Sequence, residues 1–228
     1  MTNKNIIAID GPSGVGKGTL AGNIADAYGF AKLDTGSLYR AITLHLIKSG
    51  ADMKGMTEDR AAAETKKISD DHSILEYAKS PEIRSPLVDK FVSPVASFGK
   101  VREVIRQYQR DFGYSPPPLP DGMRAKGAVV EGRDIGTVIF PDAPLKIYLT
   151  ASAEQKAKRR LKQYAEAGTA ANYDEILADQ IKRDESDRNR EHGALKIADD
   201  AIVIDNSDLD KAQTFDAARK LIKEKLGL

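Results

Sequence analysis

Cysteine is absent from the 228-residue chain, and so is tryptophan. Without thiols there is no disulfide, no thiolate metal site and no thiol nucleophile, a composition that suits a reducing cytoplasm. Histidine is scarce: His45, His72 and His192 share no metal-ligand spacing, so no side-chain metal ligand is assigned. Charge of one sign is also lacking. The 35 Lys+Arg and 34 Asp+Glu leave a net +1, so no bulk field draws the protein onto nucleic acid or a membrane. No apolar run approaches the ~18 residues of a membrane helix. The first run, Ile6-Ile7-Ala8-Ile9, meets Asp10, too short and too soon charged for a signal peptide. A cytoplasmic monomer is expected.

What is present is globular: 41% hydrophobic residues plus 18 glycines, inside the usual range for a folded domain. The length favours one domain with mobile sub-lobes over two full domains. Short apolar runs at Ile6–Ile9, Ala128–Val130, Leu145–Leu149 and Ala201–Ile204, with a weaker one at Phe30–Leu33, lack polar alternation. They read as strands buried on both faces. Between them, Leu20, Ile24 and Tyr28 keep helical spacing. So do Val101, Val104, Ile105, Tyr108 and Phe112, and Leu209, Ala212, Phe215, Ile222 and Leu226. The alternation predicts an α/β fold, a parallel sheet flanked by helices. Residues from about Ala51 to Ser97 carry no strong strand signal and read as a mostly helical insertion. Pro116-Pro117-Pro118-Leu119-Pro120 reads as a stiff surface loop.

The strongest chemical signal is Gly11-Pro12-Ser13-Gly14-Val15-Gly16-Lys17-Gly18-Thr19, between the first strand and a helix that starts near Gly16. Glycines let backbone N–H groups turn inward around an anion, and the helix N-terminus adds its positive dipole end. Lys17 is placed for the β- and γ-phosphates of a nucleoside triphosphate. The strict motif needs a hydroxyl directly after the lysine; here Gly18 stands there and Thr19 follows. This ending resembles nucleoside monophosphate kinases, where much of the Mg²⁺ shell is water.

Three further clusters supply candidates for the acceptor. Asp34 or Thr35 can cap the helix that carries Arg40, placed to fork onto a phosphate. Glu131-Gly132-Arg133-Asp134 closes a strand at the sheet edge where ligands bind in open α/β folds. Glu131 could orient Mg²⁺-bound water instead. Arg183, Asp187 and Arg190 share one helical face, after a helix start at Asn172 with Glu175 at capping-box spacing. Lys156, Arg159 and Arg160 share a face upstream. Arginine-rich segments neutralise the charge that develops in phosphoryl transfer.

Gly11–Thr19, Asp34–Arg40, the run Glu131-Gly132-Arg133-Asp134-Ile135-Gly136-Thr137 with Phe140-Pro141-Asp142-Ala143, and Arg183-Asp184 through Arg190 together closely resemble bacterial cytidylate kinases. The resemblance runs from about Ile6 to Leu226. It implies a P-loop nucleoside-monophosphate-kinase fold: a five-stranded parallel sheet with an NMP-binding lobe at about residues 37–97 and a lid at about 153–194. The core would be about 1–36, 98–152 and 195–228, all within a single domain spanning 1–228. It implies transfer of the γ-phosphoryl of ATP, with Mg²⁺, to CMP or dCMP. Lys17, Arg133 and Arg183 would be catalytic. The ATP site would be Gly11–Thr19 with Arg159 or Arg160 of the lid. Cytosine would meet Thr35, Arg102, Asp134 and Arg190; the acceptor phosphate, Arg40 and Arg133; the pentose, Arg183 and Asp187, with Ser93 supporting Asp187.

Two departures from the family pattern follow. Residues from about Lys67 to Pro81 are too short for the small antiparallel sheet many members carry in the lobe. Glu191-His192-Gly193-Ala194-Leu195 replaces the Ala-Pro-Leu common after the last arginine. Other readings are a P-loop kinase for UMP, AMP or a metabolite hydroxyl, with Asp34 or Asp134 as a base, or a nucleotide-switched binding protein. The last lacks an N-K-x-D guanine-reading segment.

Overall fold

The computed structural model describes residues 5–166 and 168–228. It divides into two compact units.

The first unit comprises residues up to Leu33, Gly113–Arg190 and Ala194–Leu228. Its sheet has the order β2-β3-β1-β4-β5 among the described residues. The strands are β1 (Ile6–Asp10), β2 (Phe30–Asp34), β3 (Gly127–Gly132), β4 (Leu145–Thr150) and β5 (Ile202–Asp205). β1 pairs in parallel with β3 and β4, and β4 with β5. Every residue of β1 and β3 is buried, as their unbroken apolar runs require of strands covered on both faces. β5 departs from that reading. It is an edge strand with no strand beyond it among the described residues, only its Ile204 is buried, and Val203 is half exposed.

Helices α1 (Lys17–Tyr28) and α9 (Lys211–Leu226) pack together. Ile24, Ala218 and Ile222 join Ile7, Ile9, Val129 and Ile147 in one apolar core. α9 opens with a reciprocal capping box. The Asp210 side chain takes the Gln213 N–H at 2.8 Å, and the Gln213 side chain takes the Asp210 N–H at 2.9 Å. At Asn172 the side-chain oxygen accepts from Asp174 N and Glu175 N, starting α8 (Tyr173–Arg188) against α7 (Ala153–Glu166). The proline run forms no helix or strand, and a turn closes from Gly122 N to Leu119 O.

The second unit, Asp34–Phe112 with Glu191–Gly193, is helical. It holds α2 (Thr35–Lys48), α3 (Glu58–Asp70), α4 (Ile74–Lys79), α5 (Pro86–Ser97) and α6 (Gly99–Tyr114) as far as Phe112. α3, α4 and α5 all pack on α2, whose Leu38, Ile42 and Leu46 are buried. A 3₁₀ turn at Pro81–Arg84 links α4 to α5. The insertion is thus helical, as its low strand signal predicts. His45 is a polar tie here, with Nδ1 3.3 Å from the Tyr77 hydroxyl and Nε2 3.1 Å from Glu64. Among the described residues no helix is long and apolar enough to cross a membrane.

Candidate active site

The glycine-rich loop joins β1 to α1 at the carboxyl end of the sheet, where open α/β folds bind ligands. Gly11, at φ +152°, lies where a Cβ would strike the Leu149 carbonyl of β4. Gly16 caps α1 at φ +96°, a left-handed conformation that favours glycine. Val15 is fully buried and anchors the loop tip in the core. The loop is therefore held by backbone and core packing before any ligand arrives. Lys17 is buried, and its ammonium donates to the carbonyls of Gly11 and Pro12 at 2.8 Å each. Thr19 is exposed.

Arg159, expected on ATP, is engaged with protein groups. Nη2 donates to the Asn206 carbonyl at 2.7 Å, and Nη1 reaches Val15 O and Asn206 Oδ1. Asn206 Nδ2 donates to the same Val15 carbonyl at 2.8 Å. Arg160 lies over the Tyr164 ring, 4.7 Å from its centroid. Lys156 does not join a solvated basic face. It is buried in an ion pair with Asp184 of α8, because that side of α7 packs on α8.

β3 ends at Gly132, and the chain turns through Arg133 and Asp134 into one π-helical turn, Ile135–Ile139. Asp134 is buried, and its carbonyl accepts from Val138 N and Ile139 N. Asp187 of α8 is the hub of a charge cluster. It is 1% exposed and accepts from Arg133 Nε at 2.6 Å, while Arg190 Nη2 stands 2.5 Å away. Burial alone would raise the Asp187 pKa. Arg133, Arg190 and Arg183 outweigh it and hold the carboxyl below its usual range. The first unit therefore brings together Arg133, Arg183, Asp187 and Arg190 of the expected set.

In the second unit Asp34, not Thr35, caps α2, accepting from Ser37 N at 3.1 Å. Arg40 sits one turn in, with Nη2 2.6 Å from Asp89 and Nη1 donating to Ile83 O at 2.8 Å. Arg102 is buried, 5.3 Å from the Tyr39 ring centroid, and donates to Ala96 O at 3.0 Å. Thr35 is buried and Ser93 half-buried on α5.

Four polar residues escape a sequence reading: Asp10, Lys146, Asn206 and Asp89. Lys146, buried on β4, ties the Pro141 carbonyl and Asp200. For Asp10 and Asn206 a signal did exist. Each ends a strand or directly follows one at the sheet's ligand edge.

Comparison with known proteins bears on the family of the whole chain. The family model described as cytidylate kinase matches residues 7–224. A cytidylate kinase of Paramagnetospirillum magneticum is 43% identical over 220 residues, covering 96% of this chain and 98% of the relative. One from a Caulobacter species is 42% identical over 218 residues, covering 96% and 94%. One from Mycolicibacterium paratuberculosis is 39% identical over 232 residues, covering 99% and 98%. With a phosphate loop on β1, an arginine cluster around a buried aspartate, and a family match over nearly its whole length, the chain belongs to the cytidylate kinase family.

Proposed function

We propose that the enzyme transfers the γ-phosphoryl group of ATP to CMP or dCMP, giving CDP or dCDP and ADP. The observation that carries this is the Arg133–Asp187–Arg190 cluster in the same unit as the glycine-rich phosphate loop. A switch protein has no need of a second cationic cluster; a kinase with an anionic acceptor does. The acceptor group is a phosphate with a second pKa near ~6, largely dianionic at neutral pH. No general base is required. The protein must bring two anions together, hold them in line and keep water from ATP.

In the first unit, Lys17 and the loop N–H groups carry the ATP phosphates, with Arg159 and Arg160 on the donor side. Arg133 takes the acceptor phosphate, Asp134 and Arg190 read cytosine, and Arg183 and Asp187 hold the pentose. Arg183 also offsets charge developing in transfer. In the second unit, Arg40 serves the acceptor phosphate, Thr35 and Arg102 the base, and Ser93 the pentose side. Arg40 and Arg159 would exchange their present protein partners for substrate.

Mg²⁺ fits as an ion carried by the phosphates. Among the described residues no three His, Cys, Asp or Glu side chains gather to hold a metal; Mg²⁺ dehydrates reluctantly and commonly keeps several waters. Glu131 is buried beside the loop, its Oε1 3.1 Å from where a Cβ of Gly18 would stand, and would orient such water. When bound, the ion neutralises phosphate charge. The working unit is taken to be a cytoplasmic monomer.

Coupled ADP release across CMP, dCMP, UMP, AMP and GMP, with an ATP-only control, tests the reading. Release with CMP and dCMP well above the rest is expected. Release without acceptor would favour the switch, and release with AMP alone an adenylate kinase.

A further inference from the structure

Asp10 ends β1 one residue before the phosphate loop, yet its side chain does not serve that loop. Both carboxylate oxygens are taken by backbone N–H groups 125 and 126 residues away. Ile135 N donates to Oδ1 at 2.8 Å and Gly136 N to Oδ2 at 2.7 Å. These are the first two N–H groups of the π-helical turn, where helical orphan donors need acceptors, and they directly follow Arg133 and Asp134. Asp10 is 5% exposed. A two-oxygen acceptor fits two neighbouring donors as no neutral side chain of this size does. Gly136 has little freedom to leave. A Cβ there would stand 3.1 Å from Lys146 Cδ and 3.4 Å from Asp10 Oδ2.

We propose that Asp10 is a positioning residue for the acceptor nucleotide: its bidentate grip on Ile135 and Gly136 fixes the chain that presents Arg133 and Asp134. It touches no reacting atom and acts only through that turn. The inference rests on the acceptor roles proposed above for Arg133 and Asp134.

The grip is pH-sensitive. Burial pushes the Asp10 carboxyl up to about 6. The Gly136 and Ile135 N–H groups pull it down, neighbouring Asp134 raises it further, and Lys17 of α1 lowers it. From β4, Tyr148 stands in register with Asp10 and the Lys146 chain packs over Gly136. A protonated carboxyl keeps one acceptor and turns the other oxygen into a donor facing an N–H. Acidification therefore loosens the turn.

The test uses three readouts on the full-length enzyme. Asp10→Asn should raise the KM for CMP by about tenfold or more, the loss expected for one charge-assisted hydrogen bond, while the KM for ATP stays put. In wild type, the Ile135 and Gly136 amide resonances should titrate together near pH ~6, and in Asp10→Asn they should not. Cytidine, which has no phosphate to titrate, should bind wild type more weakly as the pH falls through that range. Asp134→Asn is the control. If it weakens cytidine binding and Asp10→Asn does not, the positioning role is overturned. If neither variant changes cytidine binding, the acceptor assignment itself fails, and the role of the grip with it. Should Asp10→Asn not fold, wild type decides: amide shifts and cytidine affinity changing over one pH range support the proposal, and either changing alone overturns it.

Discussion

Each unit holds an arginine against a carboxylate, and the two are built differently. In the first, Asp187 is 1% exposed and shared by Arg133 and Arg190, with Arg183 also acting on it. In the second, Arg40 pairs with Asp89, whose side chain is 33% exposed, and a carbonyl takes another Arg40 nitrogen. A deeply buried carboxylate cannot be left alone, so the first cluster must stay assembled whether or not a ligand is present. Several cations around one anion also leave a positive surplus for a phosphate. The second pair is balanced and less deeply buried, with the Arg40 side chain 12% and the Asp89 side chain 33% exposed, so its carboxylate keeps some contact with water. It can open when a better anion arrives. One unit is thus preorganised by burial, and the other is poised to exchange partners.

The sharpest way to break this contrast is to remove the two aspartates in parallel. Asp187→Ala strands buried guanidinium charge and should cost about 3–5 kcal/mol of stability, read by urea unfolding. An equal cost for Asp89→Ala would erase the distinction. Lys17→Ala probes the other element of the first unit. It should lower kcat by about 10²–10³-fold with CMP still bound, and it also removes the ammonium that donates to the Gly11 and Pro12 carbonyls of the loop. Near-normal turnover would remove Lys17 from the chemistry.

Next comes a pH effect confined to the first unit. The Asp10 carboxyl titrates at about 6 when folded against 3.8 ordinarily. A raised pKa means the folded protein binds the proton more tightly. The contribution to stability is therefore fully present below pH 3.8 and lost as the pH rises through about 6. Wild type measured against Asp10→Asn should lose up to about 3 kcal/mol of relative stability between pH ~4 and ~7. A flat difference would contradict the burial of that charge. The smallest effect belongs to Asp89. Asp89→Asn should change unfolding by no more than about 1 kcal/mol and lower the KM for CMP modestly, as Arg40 loses its competitor. A raised KM would make Asp89 a support rather than a rival.

How much of this was legible in the chain follows from sequence distance. The phosphate loop could be read whole, because its φ angles, helix start and lysine lie within nine consecutive residues. The helical insertion and the buried central strands were legible for the same reason: periodicity is local. The ties that position the site were not. Asp10 reaches 125 residues to Ile135, Asn206 reaches 191 to Val15, and Arg40 meets Asp89 across 49. Nothing in the local pattern of either partner names the other. The Lys156–Asp184 pair was hidden because a lysine on a polar helix reads as solvated until a second helix covers it. β5 misled in the opposite sense, since an apolar run does not say whether its strand lies inside the sheet or at its edge.

The most direct test of the central claim is the steady-state KM of Arg133→Ala for each nucleotide separately. If the Asp187 cluster serves the monophosphate, the KM for CMP rises by about tenfold or more and the KM for ATP does not move. A rise confined to ATP would place the cluster on the triphosphate and contradict the account.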